Sequence, residues 1–308
     1  MQLPPAGGAG APIHSVQAVL NYQAPGVEAV YTKRDSGGSD ASLQGAEWDS
    51  CQVVVSDGRH STQPFTLDRN GFALREEAQP PNLRSEDYYD QDRVIGEYYG
   101  ECEALLKRVT GAAVVKAFDH NVRSAAGKAS GRRLVGGSLV QEPAGLVHGD
   151  YTRCSAPRRL QQLGLPPKLN DALRSTLGDE PLLPSALVED ALSGKKRFAF
   201  INVWRPISTV RSKPLACCDA TTVAADDLLV FSIHYADRVG ENYFARHSPD
   251  HKWVYFSEMS PDEVLLIKQW DTAPCGATFS LHTAFADPSS PPSAPERESI
   301  EVRCVLVY

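Results

Sequence analysis

The 308-residue sequence predicts a mainly β protein, a jelly-roll barrel with flanking helices. Three observations carry that prediction. From Lys196 onward, β-branched and aromatic runs follow one another at short intervals, separated by Pro- and Gly-containing turns. One clear amphipathic helix lies between Ser85 and Gly111. No repeat of fixed period and no long low-complexity linker interrupts the chain.

Residues 1–14 are rich in Pro, Gly and Ala and read as a loose start. Short β-like runs follow at Ala18–Tyr22, Glu28–Thr32 and Gln52–Val55, with Asp57-Gly58 as a turn signal after the third. Residues 1–80 are therefore expected to form an N-terminal β-rich lobe on a core of residues 81–308, the two making one structural unit. In the helix, Ser85 is the expected cap, Glu86 and Asp87 favour the first turn, and Gly111 ends it. Val94, Tyr98, Cys102, Leu105, Leu106 and Val109 form its apolar stripe. Ala112–Phe118 reads as a strand leading to Asp119-His120-Asn121-Val122-Arg123. Residues 124–145, rich in Gly, Ala and Ser, read as a mobile loop. Helices are expected near Pro157–Leu163, Lys168–Leu177 and Ser185–Leu192. The expected strands are Phe198–Trp204, Leu228–His234, Trp253–Phe256, Val264–Trp270, Thr278–Phe285 and Ile300–Tyr308.

Composition excludes several function classes. A formal charge of -7 argues against a phosphate-binding surface, so nucleic acid is not an expected partner. No apolar run reaches the length of a membrane span, and the first residues lack the basic start and apolar core of a signal peptide. A cytoplasmic location is the resulting expectation. Seven cysteines, odd in number and without a C-x-x-C spacing, read as free thiols. The sequence leaves the oligomeric state open, a homodimer included.

The most specific chemical signal is His148-Gly149-Asp150 together with a distant His282. Two neutral imidazoles and one carboxylate are the facial ligand set of a mononuclear non-haem iron(II) site, which keeps coordination positions open for an oxo-acid and dioxygen. Residues i and i+2 of an extended segment project to one side, so His148 and Asp150 can reach one ion, with Gly149 giving the backbone room. His282 lies in an apolar strand whose alternation places Ser280, His282 and Ala284 on one face. His234, after another apolar strand, is a competing ligand, whereas His14, His60, His247 and His251 lie in polar, loop-like stretches. H-x-D alone is a weak signal, and a lone strand His is more often a satisfied core residue.

The cationic pattern downstream strengthens it. Arg297, Ser299, Glu301 and Arg303 share one face of the last strand, and Ile300, Val302 and Cys304 share the other. Arginines facing inward need anionic partners. A guanidinium fork matches a carboxylate, and a serine hydroxyl adds a bond. Arg297 and Ser299 are the expected holders of the far carboxylate of 2-oxoglutarate, with Arg303 as the alternative anchor or a partner of Glu301. The proline-rich stretch Asp287–Pro295 separates His282 from both and leaves that choice open. A solvated edge strand is the plainer reading of the same charges.

Further motifs appear in order: Asn202-Val203-Trp204-Arg205-Pro206, Pro214-Leu215-Ala216 with Asp219, Tyr255-Phe256, Met259-Ser260-Pro261-Asp262-Glu263, and Lys268-Gln269-Trp270-Asp271. With His282-Thr283-Ala284-Phe285 and Arg297 to Arg303, this series resembles the mainly fungal family of gibberellin-desaturase, AsaB and CmcJ-like hydroxylase/desaturases of secondary-metabolite biosynthesis. The resemblance covers residues 85–308. It implies a double-stranded β-helix core and an iron(II)- and 2-oxoglutarate-dependent dioxygenase. Such an enzyme abstracts hydrogen from an unactivated carbon of a small molecule, with hydroxylation, desaturation, cyclisation or peroxidation as outcomes. It further implies that Arg123 grips a carboxylate of substrate or cosubstrate, and that His120 supports the metal site from behind. Asn202 and Trp204 share a strand face and could line the pocket, while Arg205 points oppositely. A catalytically silent β-barrel binding protein is the main rival. A methyltransferase is a weaker one, since no Gly-rich strand-to-helix loop stands out. A serine hydrolase lacks its G-x-S-x-G elbow.

Overall fold

Side-chain alternation sorts the strands into two sheets. The computed structural model describes residues 15–33, 43–136, 140–169, 171–234 and 239–308, and fourteen strands lie among them. A nine-stranded sheet runs in the order β1 (Ser15–Gln23), β3 (Trp48–Asp57), β11 (Trp253–Tyr255), β8 (Leu215–Cys218), β13 (His282–Ala284), β6 (His148–Gly149), β10 (Val239–Ala245), β9 (Leu228–His234) and β2 (Val30–Lys33). A five-stranded sheet runs β4 (Phe72–Glu76), β12 (Glu263–Asp271), β7 (Phe198–Pro206), β14 (Glu298–Val307) and β5 (Val114–Ser124), antiparallel throughout. Strands from before residue 80 thus belong to both sheets.

The sheets face each other. Phe72, Trp204 and Leu265 of the small sheet meet Leu215, Cys217 and Val254 of the large one in a shared apolar cluster. The opposite face of the small sheet carries Val203, Leu266, Ile300 and Val302, which pack against Tyr98, Leu105 and Leu106 of the helical layer. Each strand of the small sheet therefore has an apolar outer row and an inner row free to carry polar groups.

The helical layer starts later than the sequence suggests. Ser85 lies in a 3-10 turn, Ser85–Tyr89, and its hydroxyl donates to the carbonyl of Ile207. The cap is Asp90, whose carboxylate accepts from the backbone N–H groups of Asp92 and Arg93. Such a cap contributes about 1 kcal/mol. Gln91–Arg93, a π segment at Val94–Tyr98 and Tyr99–Thr110 then follow without a break. Gly111, in the left-handed region at φ 71°, closes the helix as expected.

Other expectations need adjustment. β5 extends through Arg123, beyond the expected end at Phe118. The stretch 124–145 contains a short helix, Ala125–Ala129, and a bridge from Arg123 to Gln141; its residues 137–139, like residues 1–14, lie outside the described residues. Helix is confined to Arg174–Leu177; upstream of it, the Lys168 N–H donates to the Asp171 carboxylate. The segment expected as a strand from Thr278 is paired as one only over His282–Ala284. Upstream it passes between the sheets, the Ser280 N–H donating to Lys268 and the Leu281 carbonyl accepting from Cys218. Strands β4, β8 and β10 carry weak β signals; β8 and β10 are set by pairing on both sides, and β4 is an edge strand set by β12.

All seven cysteines are free. His251 is more than a loop residue: it is buried between the Tyr22 hydroxyl, 3.2 Å from Nδ1, and Asp227, 3.1 Å from Nε2. No helix among the described residues is long and apolar enough to cross a membrane.

Candidate metal centre

The register of the large sheet places His148 directly opposite His282, on β6 and β13. Their rings lie 4.3 Å apart, and Asp150 follows one residue after β6. One ligand atom from each of His148, Asp150 and His282 lies within 4.8 Å of the others. His148 Nδ1 donates to the Leu146 carbonyl at 2.7 Å, and His282 Nδ1 faces the Ser280 carbonyl at 3.4 Å. A carbonyl only accepts, so each Nδ1 carries the proton and each Nε2 keeps its lone pair. Burial pushes the His148 imidazole down to about 4, reinforced by His282, and burial lowers His282 as well. Both rings are then neutral near pH 7, the form a metal requires. An added Cβ at Gly149 would meet Phe279 at 3.5 Å, an ordinary contact, so the glycine is not needed for the space expected of it.

The small sheet supports Asp150. Asn202 Nδ2 donates to its Oδ2 at 2.8 Å, and Arg303 Nε approaches the same oxygen at 3.4 Å. Oδ1 is left facing the imidazoles, 3.8 Å from His148 Nε2. Burial raises this carboxyl, but Arg303 and the two histidines more than offset it, holding it well below the usual carboxylate range. The backbone N–H of Asp150 donates to Gln269 Oε1 at 3.2 Å. Gln269 is the extra residue of a bulge in β12, where the register shifts between Lys268 and Trp270. Sequence reasoning gave Gln269 no role, because a bulge has no periodic signature. Asp119 was also missed: it accepts from Arg303 Nη1 at 2.8 Å, on the same strand face as Asn121 and Arg123.

The inner face of β14 carries Ser299, Glu301 and Arg303, as alternation predicted. Arg303 is committed to Asp119, Asp150 and Glu301. Arg297 differs sharply. It is 2% exposed, gives one hydrogen bond to the Lys213 carbonyl, lies over the Trp204 ring at 5.4 Å, and leaves Nε without a partner. The buried Ser299 hydroxyl, like Arg297 Nε, has no hydrogen-bond partner among the described residues. Burial pushes Arg297 down to about 9 and Arg123 repels it further, so it remains cationic near neutrality. Arg123, half-buried, donates to the Glu142 carbonyl and forms no ion pair among the described residues.

Two expectations are corrected, and of the two roles expected for Arg303 the structure shows the pairing with Glu301. His120 faces away from the site, on the opposite face of β5 from Arg123, and its Nδ1 lies 2.8 Å from the Tyr99 hydroxyl in the helical layer. It therefore reaches none of the three ligand candidates. His234 is exposed at the end of β9 and stacks edgewise on Tyr31, which removes it as a competing ligand. Arg303, the alternative anchor, has its donors taken by protein carboxylates. Arg205 does point outward, donating to the Tyr98 hydroxyl and the Glu77 carbonyl.

Comparison with known proteins agrees with this chemistry. A two-sheet β protein with a largely buried His-Asp-His cluster and an inward arginine is a frame suited to a metal-dependent oxidoreductase. The family described as Oxidoreductase/YMDC permease-like domain matches residues 20–178 and 180–307. Hydroxylase/desaturase efuI of Hormonema carpetanum is 32% identical over 83% of this chain and 83% of its own length. The Fe(II)/2-oxoglutarate-dependent dioxygenase nvfI of Aspergillus novofumigatus is 34% identical over 84% of each chain. A solved structure of the iron and alpha-ketoglutarate-dependent endoperoxidase NvfI superposes with a TM-score of 0.73 and 27% identity, covering 96% of this chain and 98% of that one. The chain belongs to this oxidoreductase family, together with the hydroxylase/desaturases and 2-oxoglutarate-dependent dioxygenases that share its length.

Proposed function

We propose that His148, Asp150 and His282 hold iron(II), and that Arg297 and Ser299 hold the far carboxylate of 2-oxoglutarate, on a double-stranded β-helix, or jelly-roll, core. The enzyme is an iron- and 2-oxoglutarate-dependent oxygenase of the secondary-metabolism type, acting on a small molecule by hydroxylation, desaturation or cyclisation. In this reading the described residues before 80 and residues 81–308 form one working unit.

The observation that carries the residue assignment is a match between what the chain offers and what the two groups need. The donor set is two imidazoles with free Nε2 and a carboxylate with one oxygen already held. The cosubstrate pocket is marked by a buried guanidinium with a spare Nε–H beside a buried hydroxyl without a partner. Leaving such donors unpaired costs about 1–3 kcal/mol each, more for a charged group, which an incoming carboxylate would recover. Arg303 fits a different role: it fixes Asp150 and neutralises it. Trp204 forms a wall under Arg297, and Asn202 orients the carboxylate ligand.

Iron with 2-oxoglutarate and dioxygen supplies the oxidising power for removing hydrogen from an unactivated carbon, the cosubstrate leaving as succinate and carbon dioxide. The chain's own part is orientation and exclusion of water. Arg123 is assigned to the small-molecule substrate, which then carries a carboxylate or an equivalent anion. Succinate formation by anaerobically purified protein, supplied with iron and then with oxygen, tests the reading. Protein that retains no iron and forms no succinate would be the silent β-barrel binding protein instead.

A further inference from the structure

The inner face of the small sheet carries the buried guanidinium of Arg297 and the half-buried one of Arg123, and only one is needed for the cosubstrate. Ser299 pairs across the strands with Arg123, and Glu301 pairs with Asn121. Arg123 and Glu301 are therefore diagonal neighbours on the same face, about 7–8 Å apart at Cβ and within reach of two long side chains. Glu301 is 5% exposed. Its Oε1 receives only a long contact from Arg303 Nη2, 3.4 Å, and its Oε2 accepts no hydrogen bond among the described residues. Arg123 in turn has no carboxylate partner, and repulsion between Arg123 and Arg297 lowers the pKa of Arg297, after burial. A dianionic oxo-acid entering this space would attract both cations, while one grip gives a single pose.

We propose that Glu301 is a positioning residue that holds the Arg123 guanidinium away from the cosubstrate pocket, so that Arg297 and Ser299 alone take the far carboxylate and Arg123 stays open for the substrate. The opposing charges act across one diagonal of the sheet, with the glutamate side of the pair buried, which strengthens their attraction. This rests on the functional reading above and adds a residue to it.

The test is calorimetric titration of 2-oxoglutarate into manganese-loaded protein, which reads affinity without turnover. Glu301→Gln removes an anion beside a dianion site and frees Arg123, so binding should tighten about three- to tenfold. Succinate formation by the iron-loaded variant should fall at the same time, because the second grip misplaces the cosubstrate. A merely structural glutamate would not move the two readouts in opposite directions. Arg123→Gln alone should leave affinity within about twofold, and the double variant should lose most of the gain seen in Glu301→Gln, a coupling that independent sites lack. Glu301→Asp, which keeps the charge, should match the wild type. Weaker binding in Glu301→Gln, a double variant equal to the product of the singles, or Glu301→Asp behaving like Glu301→Gln overturns the inference alone. Wild-type protein that binds no 2-oxoglutarate overturns the functional reading with it.

Discussion

The five-stranded sheet faces the site with long strands, nine residues at Phe198–Pro206 and ten at Glu298–Val307, whereas the nine-stranded sheet meets it with two of its shortest, His148–Gly149 and His282–Ala284. The long strands give a graded wall. Along β14, Ser299, Glu301 and Arg303 face in while Ile300 and Val302 pack outward. The short strands give two points held by one register pair, His148 opposite His282. Long, doubly paired strands suit recognition, because each inner side chain is fixed by neighbours on both sides. Short strands suit ligation, because Asp150 must leave the pleat to turn its carboxylate toward the imidazoles.

That contrast can be broken by substitution. His282→Ala removes a proposed ligand on a short strand. Iron content after anaerobic reconstitution should fall to background, with 2-oxoglutarate turnover below about 1% of wild type. Retained iron would show that ligation does not depend on β13. Arg297→Gln removes the grip at the foot of the long strand. It should raise the KM for 2-oxoglutarate about tenfold to a hundredfold, the worth of a charge-assisted pair, with iron content unchanged. Arg303→Gln lies three repeats of the pleat further along and should do the reverse. Iron affinity, read by competition with a chelator, should fall about tenfold or more, and 2-oxoglutarate affinity measured at saturating metal should change little. If Arg303→Gln instead behaves like Arg297→Gln, the anchor has been misassigned. Val302→Ala, on the outer face between them, should cost about 2 kcal/mol in chemical denaturation and leave both affinities intact.

The wall was legible in the sequence and much of the ligating side was not. Alternation from Arg297 to Cys304 reports directly which residues share a face, because β14 is regular throughout and the extra residue of its pairing, Phe118, lies in β5. His148, Asp150 and His282 were found by ligand chemistry, not by pattern, since strands of two and three residues show no period. The same limit explains the overlong strand drawn from Thr278. His120 was misread because a motif match says nothing of sidedness; one step along β5 sends it to Tyr99 rather than to the site. The proposed choice of Arg297 over Arg303 rests on which protein carboxylates each one meets, a matter of tertiary pairing that no local spacing encodes.

The bulge at Gln269 carries an evolutionary consequence. With one surplus residue in β12, Gln269 serves the amide of Asp150 while Trp270 stays opposite Phe200 and stacks on Phe279. Deleting a single codon there would restore regular pairing and yet strip Asp150 of its acceptor, since the surplus residue is Gln269 itself. Members of this lineage should therefore tolerate length variation in their surface connections while keeping this strand at constant length, imperfection included.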